Sequence, residues 1–450
     1  MPQAQQQWAI VGGGLLGMTL AHRLRQAGCS VSLYEGAPQL GGLASPWRLD
    51  DFVWDRHYHV TLLSDHALRG LLRELDLEAS IDWVQTRTGF YTNGRLHSMS
   101  NVREFVTFPG LSVIEKMRLA ATILYASHLK NWQPLENVTV ADWLTRLSGK
   151  RTFEKLWLPL LRAKLGESYR KTSAAFIWAI IARMYAARRT GLKKEMFGYV
   201  PGGYARVLAQ FERMLRSGGV HIACARPAQA IAPSAAGRLK ISFSDGADEC
   251  FDRVVVTAPG PVAAQLCPAL RADETARLRG IAYQGIICAS LVLRKPLAGY
   301  YVTNITDAWV PFTAVIEMSA LVSPQHFNGK ALVYLPKYLA PDDPAFALPD
   351  EQIEAQFLAA LERMYPNFRR SDVLCFKVSR VRYVLPISTL GYSQTLPPVI
   401  TSVPGLFMVN AAHIVNGTLN VNETVTLANA TAQRLLAHED VPAVPLATAV

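Results

Sequence analysis

"WAIVGGGLLGMTLAHRLRQAGCSVSLYEGAPQLGGLA", residues 8–44, decides the fold. Trp8 to Val11 is an apolar run of the kind that fills a buried parallel strand. Gly12, Gly14 and Gly17 then spell G-x-G-x-x-G. Leu16, Leu20 and Leu24 recur at helical spacing within Leu15 to Gln26, and Gly28 stops the helix. Val31 to Tyr34 reads as a second strand that ends at Glu35. Strand, glycine turn, helix, strand and acid, in that order, form the setting a dinucleotide fingerprint requires. Gly12 allows the tight turn, Gly14 lets the backbone approach a pyrophosphate, and Gly17 lets the helix pack close. The phosphates then meet the N–H groups at the helix start, at Leu15 and Leu16. Glu35 accepts hydrogen bonds from the adenosine ribose, and its charge repels a 2′-phosphate.

Composition sets outer bounds. A chain of 450 residues is long for one core, which predicts two domains, and half the residues are hydrophobic with 18% charged. Six scattered cysteines without a C-x-x-C pair read as reduced, inert thiols in a cytoplasmic protein. No signal peptide is expected, because the early apolar stretch is broken by glycines. Leu119 to Leu129 is too short to span a bilayer, and Pro259, Gly260 and Pro261 interrupt Val254 to Leu270. The net charge of +11 is spread along the chain without a nucleic-acid motif, so no nucleic-acid partner is expected. A solvated basic surface remains, with attraction to anionic lipid or an anionic substrate as the sharper reading.

Further along, "DRVVVTAPGP" (252–261) is a buried strand ending in a Pro/Gly turn. "PGLFMVN" (404–410) is another, followed by a loop and a helix from about Asn422. Residues 101–195 read as mostly helical, and 281–385 mix strands with a helix from Asp350 to Met364. The chain thus leaves the nucleotide domain twice and returns twice. The expected division is 1–60, 196–262 and 386–440 for that domain, and 61–195 with 263–385 for a second, leaving 441–450 as a flexible tail.

With these residues in place, the N-terminal stretch resembles FAD-dependent enzymes of the amine oxidase, protoporphyrinogen oxidase and phytoene desaturase superfamily. There the ribose-binding acid precedes a glycine pair, here Gly41 and Gly42. "GYVPGGYARVLAQF" (198–211), "DRVVVTAPGP" and "PGLFMVN" extend the likeness across nearly the whole chain. "RHYH", "LWLPLLRAKLGESY" and "GYSQTLPP" are similar to a bacterial, protoporphyrinogen-oxidase-like branch. The resemblance implies FAD as cofactor, and non-covalent binding is expected because no histidine or cysteine stands in a recognised attachment motif. It also implies cofactor contacts at Leu43, Ala230, Ala258, Asn410 and Asn422. Many relatives end the C-terminal strand in Gly-Asp; here the corresponding positions are Asn410 and Ala411.

Tyr383 to Asn422 contains no Asp, Glu, Lys or Arg. We read it as a dry wall beside the isoalloxazine, with the following helix turning its positive end toward the flavin. Candidate acid/base groups are His57 and His59, which share a face if "DRHYHVT" (55–61) is a strand, together with His413. Lys164 is a candidate to hold a water or an anionic substrate near the flavin, with a snorkelling surface lysine as the alternative. Substrate-side candidates are Tyr58, Tyr199, Glu317 and Tyr392. The helix Ser112 to Trp132 reads as a buried amphipathic helix of the second domain, with peripheral membrane contact as the alternative.

The expected class is α/β: a discontinuous Rossmann-type FAD domain, and a substrate domain with a helical lobe and a mostly antiparallel sheet. The expected reaction is hydride transfer from a C–H or C–N bond of an apolar or amphiphilic small molecule to flavin N5, then to oxygen or a quinone. Two alternatives stand beside it. One is a redox-neutral flavin mutase with cavity arginines such as Arg183, Arg188 and Arg382; the other is a non-catalytic flavoprotein. Oligomeric state is not legible.

Overall fold

The computed structural model describes residues 6–186, 196–235 and 237–437. Arg188, Arg189, Lys193, Lys194 and the expected tail at 441–450 lie outside them.

The fingerprint folds as its residues require. Strand Gln7–Val11 runs into helix Leu15–Gln26 and strand Ser30–Tyr34. Ile10, Met18, Leu20, Leu24 and Leu33 are buried together, so the helix stripe and the strand close on one core. Around this unit a five-stranded parallel sheet assembles in the order His221–Ala223, Ser30–Tyr34, Gln7–Val11, Arg253–Val256, Leu406–Met408. Its strands come from three separate stretches of chain, so two long excursions must leave and rejoin it. A small antiparallel sheet of Ala228–Pro233, Leu239–Phe243 and Asp248–Phe251 packs on one side.

The excursions build the rest. Residues 102–186 form a helical lobe around Trp143, Trp157 and Trp178. A seven-stranded sheet runs in the order Val373–Pro386, Tyr283–Leu293, Ala331–Leu339, Ala314–Glu317, Val302–Ile305, Thr88–Thr92, Arg95–Ser98. Every neighbouring pair is antiparallel except Val302–Ile305 with Thr88–Thr92. Alternation along the strands splits this sheet into two faces. Ile287, Ala289, Leu291, Val333 and Leu335 meet the helix Asp350–Met364 through Phe357 and Leu361. Ile286, Cys288, Leu332 and Tyr334 meet Trp54, Phe197 and Tyr199 on the opposite face. That second face looks toward the nucleotide-binding unit.

One local expectation fails. The strand Phe52–Asp55 stops at Asp55, and residues 56–60 are irregular, so His57 and His59 do not share a strand face. The cause is the capture of Asp55. Its carbonyl accepts from the Tyr334 hydroxyl (2.5 Å), and its Oδ1 accepts from the Tyr204 N–H (2.7 Å). With both groups held by other elements, the chain turns off the ladder.

Candidate active site and cofactor crevice

Ligands of open parallel sheets sit beyond the carboxyl ends of the strands. Here that edge holds Gly12–Gly14, Glu35, Thr257–Ala258 and Asn410. Gly12 has φ +119°, and a Cβ there would collide with the Thr257 hydroxyl. A Cβ on Gly17 would collide with the Gly12 carbonyl, which fixes how closely helix and turn pack. Gly14 differs from both. Its φ is an ordinary −70°, and a Cβ there would meet no protein atom within 4 Å. The space in front of Gly14 is therefore a cradle that a side chain would fill.

The helix behind it opens without a side-chain cap, and its first internal bond runs from Met18 N–H to the Gly14 carbonyl (2.9 Å). The N–H groups of Leu15, Leu16 and Gly17 thus face out of the helix end, ready for phosphate oxygens. Gly41 and Gly42, both at positive φ, fold back onto the same place. The Gly41 N–H donates to the Gly13 carbonyl (2.8 Å), and a Cβ on Gly42 would stand 3.2 Å from Gly14 Cα. Glu35 Oε2 accepts from the Gly13 N–H (2.7 Å) and Oε1 from the Ala37 N–H (2.8 Å). Each oxygen keeps a second lone pair for a ribose hydroxyl. Ala225 and Arg226 N–H groups bond to Ala37 and Glu35 carbonyls, which brings the lead into Ala230's strand beside the acid. These residues fit the adenosine and diphosphate of FAD.

The uncharged run spans the join between the two parts of the molecule. Leu385 and Ile387 belong to the helical-lobe core, Val399, Phe407 and Val409 to the nucleotide-binding core, and Leu419 touches both. Its polar side chains brace the wall. Asn410 Nδ2 donates to the Ala258 carbonyl (2.9 Å), tying two strand ends together, while its Oδ1 accepts from the Ala412 N–H (3.0 Å). The Tyr392 hydroxyl donates to the Ala412 carbonyl (2.8 Å). His413 Nδ1 accepts from the Asn410 N–H (3.1 Å), and its Nε2 lies 3.1 Å from the Pro397 carbonyl. Both ring nitrogens are engaged by backbone, and burial lowers the imidazole pKa. This geometry ties Tyr392 and His413 to the backbone of the run.

Two further candidates take structural positions. Asn422 Oδ1 accepts from the Ala67 and Leu68 N–H groups (3.0 and 3.1 Å), so it caps the helix His66–Glu74. Glu317 accepts from the N–H groups of Leu297, Ala298 and Gly299 (2.9, 3.1 and 2.9 Å) and closes a turn. Desolvation still raises its pKa, against those three bonds. The Tyr199 ring lies edge-on to His326 and its hydroxyl accepts weakly from the Ser323 N–H (3.4 Å).

Histidines 57 and 59 divide their tasks. His57 Nδ1 donates to the Leu43 carbonyl (3.0 Å) and Nε2 lies 3.2 Å from the Ser379 hydroxyl, so the ring bolts the glycine-pair turn to the seven-stranded sheet. Burial pushes its pKa down to about 4, which keeps it neutral. His59 packs against the Tyr204 ring, with Nδ1 3.6 Å from Asp55 Oδ2 and no hydrogen-bond partner. It lines a small cavity with Trp54, Asp55, Thr61, Tyr204 and Met318. Sequence reasoning missed the acid beside it: Asp55, four residues away, is buried and aimed at this ring.

Tyr58, Tyr338 and Lys164 form a second group. The two tyrosine hydroxyls lie 3.0 Å apart, and the Lys164 ammonium sits 5.3 Å over the Tyr338 ring. Tyr338 was not singled out from the sequence; its place in the register opposite Ile286 marks it as a residue of the inward face. Of the arginines of the mutase alternative, Arg188 lies outside the described residues and the other two are engaged elsewhere. Arg183 is paired with the buried Asp65 (3.0 Å), and Arg382 bonds the Pro341 carbonyl and lies over Phe346.

Comparison with known proteins agrees with this geometry. Residues 17–436 match the family described as flavin containing amine oxidoreductase. The chain belongs to that family. The coproporphyrinogen III oxidase of Mycobacterium bovis is 24% identical over 376 residues, covering 77% of this chain and 80% of the relative. A shorter match, also 24% identical, spans 219 residues and only 45% of a protein named a probable zeta-carotene desaturase, from Synechococcus elongatus. Among solved structures, an oxidoreductase from Methanosarcina mazei superposes with a TM-score of 0.74 at 19% identity, covering 95% of this chain and all of the other. The protein is accordingly an FAD-dependent oxidoreductase of the amine oxidase type. Among the described residues no helix is long and apolar enough to cross a membrane.

Proposed function

We propose that this enzyme oxidises a C–H or C–N bond of an apolar or amphiphilic small molecule and passes the electrons to oxygen or a quinone. The observation that carries the reading is the meeting of the Gly14 cradle, through the Gly41–Gly42 turn and His57, with the inward face of the seven-stranded sheet. FAD, when bound, supplies the two-electron chemistry. The chain's own residues hold and dry the site. Leu15, Leu16, Gly14 and Glu35 hold the diphosphate and ribose, and the run 383–422 contributes a wall without a charge to hydrate. His59, with Asp55 Oδ2 3.6 Å from its Nδ1 in the small cavity beside Tyr204, is the group we assign to hold or take a proton. Anaerobic mixing of the yellow enzyme with candidate substrates tests the reading. Bleaching by substrate alone supports it, whereas turnover that requires prior reduction by dithionite contradicts it.

The reading includes docking on an anionic membrane surface through the helices Val102–Thr107 and Val113–His128. Val113, Ile114, Met117, Leu124 and Tyr125 are each at least half exposed, while the face turned inward carries Glu115, Leu119, Thr122 and Ala126. The outer face is thus more apolar than the inner one, the reverse of a soluble amphipathic helix. Val102 and Val106 extend the patch. Its two acids are turned away: Glu104 bonds Ser98 and Ser100, and Glu115 bonds the Ser112 N–H. Arg103, Arg118 and Lys130 are exposed on this segment. A two-fold contact between copies would bring like cations together, whereas anionic headgroups complement them.

A further inference from the structure

We propose that Lys164, Tyr338 and Tyr58 form an anion subsite that holds a carboxylate of the substrate, so that the molecule oxidised is an acid with an apolar body. The inference deepens the reading above and rests on it.

Lys164 lies on the helix Leu158–Leu165, half-buried, and among the described residues its only partner is the ring of Tyr338. Two other half-buried cations are neutralised by carboxylates. Arg183 is paired with Asp65, and Lys330 bridges Asp50 and Asp51. Two residues before Lys164, Arg162 points the other way and pairs with Glu167 (3.2 Å). Lys164 therefore carries a positive charge into the interior where the protein offers an aromatic face and no carboxylate. A ring face attracts an ammonium ion but leaves its three N–H donors open.

The tyrosines add a further donor. Each phenol carries one proton, and among the described residues the only hydrogen bond either hydroxyl makes is the one they share. Whichever phenol donates, the other keeps its own O–H without a protein acceptor. Three ammonium donors and one phenolic O–H match the lone pairs of a carboxylate, which accepts charge-assisted bonds from both. Tyr58 is deep in the molecule and yet retains accessible surface, as do Tyr338 and Lys164. The three groups thus keep part of their surface uncovered by protein.

Their position sets what the ligand must be. Tyr58 follows His57, which is fixed to the Leu43 carbonyl in the glycine-pair turn, so one end of the group adjoins the cofactor crevice. Lys164 stands at the far end, toward the helical lobe. Tyr58, Tyr338, Met184 and Val381 pack on one apolar cluster, and Leu160, one turn before Lys164, packs on the neighbouring one. A substrate that reaches from the crevice to Lys164 crosses apolar walls and ends at a cation.

The experiment uses the FAD-loaded enzyme and two probes of equal length, decanoate and 1-decanol, followed by titration calorimetry and by the absorption of the bound flavin. The wild type is expected to bind decanoate at least tenfold more tightly than decanol. Lys164→Met should weaken decanoate at least tenfold and leave decanol unchanged, Lys164→Arg should restore most of the loss, and Tyr338→Phe should weaken decanoate severalfold. Equal affinity for both probes, no binding of decanoate to the yellow wild type, or decanoate binding indifferent to Lys164→Met overturns the subsite. A protein that stays colourless with FAD overturns the functional reading instead, so the two failures are distinguishable.

Discussion

His57 Nδ1 lies 3.0 Å from the Leu43 carbonyl oxygen while Nε2 lies 3.2 Å from the Ser379 hydroxyl, so one ring joins the glycine-pair turn to the seven-stranded sheet. That link depends on pH. Burial pushes the His57 imidazole pKa down to about 4, from an ordinary 6.5. Because the folded value is depressed, the unfolded chain binds more protons between these limits. Stability is then fully present above pH 6.5 and falls as pH drops toward 4. At 1.36 kcal/mol per unit the loss is roughly 3 kcal/mol. Urea unfolding between pH 4 and 7 should show this slope. His57→Gln should cost stability at pH 7 but flatten the slope; an unchanged slope in the variant would assign the acid sensitivity to other groups.

Gly14 and Gly17 separate folding from cofactor binding. A side chain on Gly14 meets open space and an allowed backbone, so Gly14→Val should leave the melting temperature of the apoprotein within a degree or two of wild type. The same side chain fills the diphosphate cradle, and FAD retention, read from the 450/280 nm absorbance ratio, should fall at least tenfold. Gly17→Ala should do the opposite first: its methyl collides with the Gly12 carbonyl and should cost about 3 kcal/mol of fold stability. Equal loss of stability in both variants would refute the cradle.

The legibility of the sequence followed the range of the forces involved. Helix Leu15–Gln26 and helix Asp350–Met364 have the bounds their local spacing indicates, because stripe, stop and partner strand are all written within a few residues. The Gly41–Gly42 pair was readable because positive φ leaves few alternatives to glycine. His57, His59, Asn422 and Glu317 were readable as polar residues in apolar settings, but not in their tasks. Those tasks come from partners far along the chain: Ser379 for His57, Ala67 and Leu68 for Asn422. Asp55 shows the same limit, since Tyr204 and Tyr334 end its strand from 149 and 279 residues away.

Asn422 supplies a local test of that reassignment. Its carboxamide oxygen caps the helix His66–Glu74, where the native N-cap Asp65 makes no side-chain cap bond. Asn422→Ala should cost about 1 kcal/mol, the usual worth of a cap. FAD occupancy at saturating cofactor should remain near the wild-type level. A selective loss of FAD with unchanged stability would return Asn422 to the cofactor.

The outward helix Val113–His128 yields the last prediction. Met117 and Leu124 are 61% and 50% exposed, so replacing either by Glu should change fold stability by no more than about 0.5 kcal/mol. Each carboxylate would nevertheless lie between the apolar face and an anionic headgroup layer, where charge repulsion and desolvation both oppose contact. Co-sedimentation with vesicles containing a third phosphatidylglycerol should therefore be strong for the wild type at low salt and weak in 0.5 M NaCl. The double variant Met117→Glu/Leu124→Glu should leave the protein in the supernatant. If that variant sediments as the wild type does, the helix is not the docking element. If the wild type instead shows a stable dimer that the variant dissociates, a second copy covers this face and the membrane assignment is wrong.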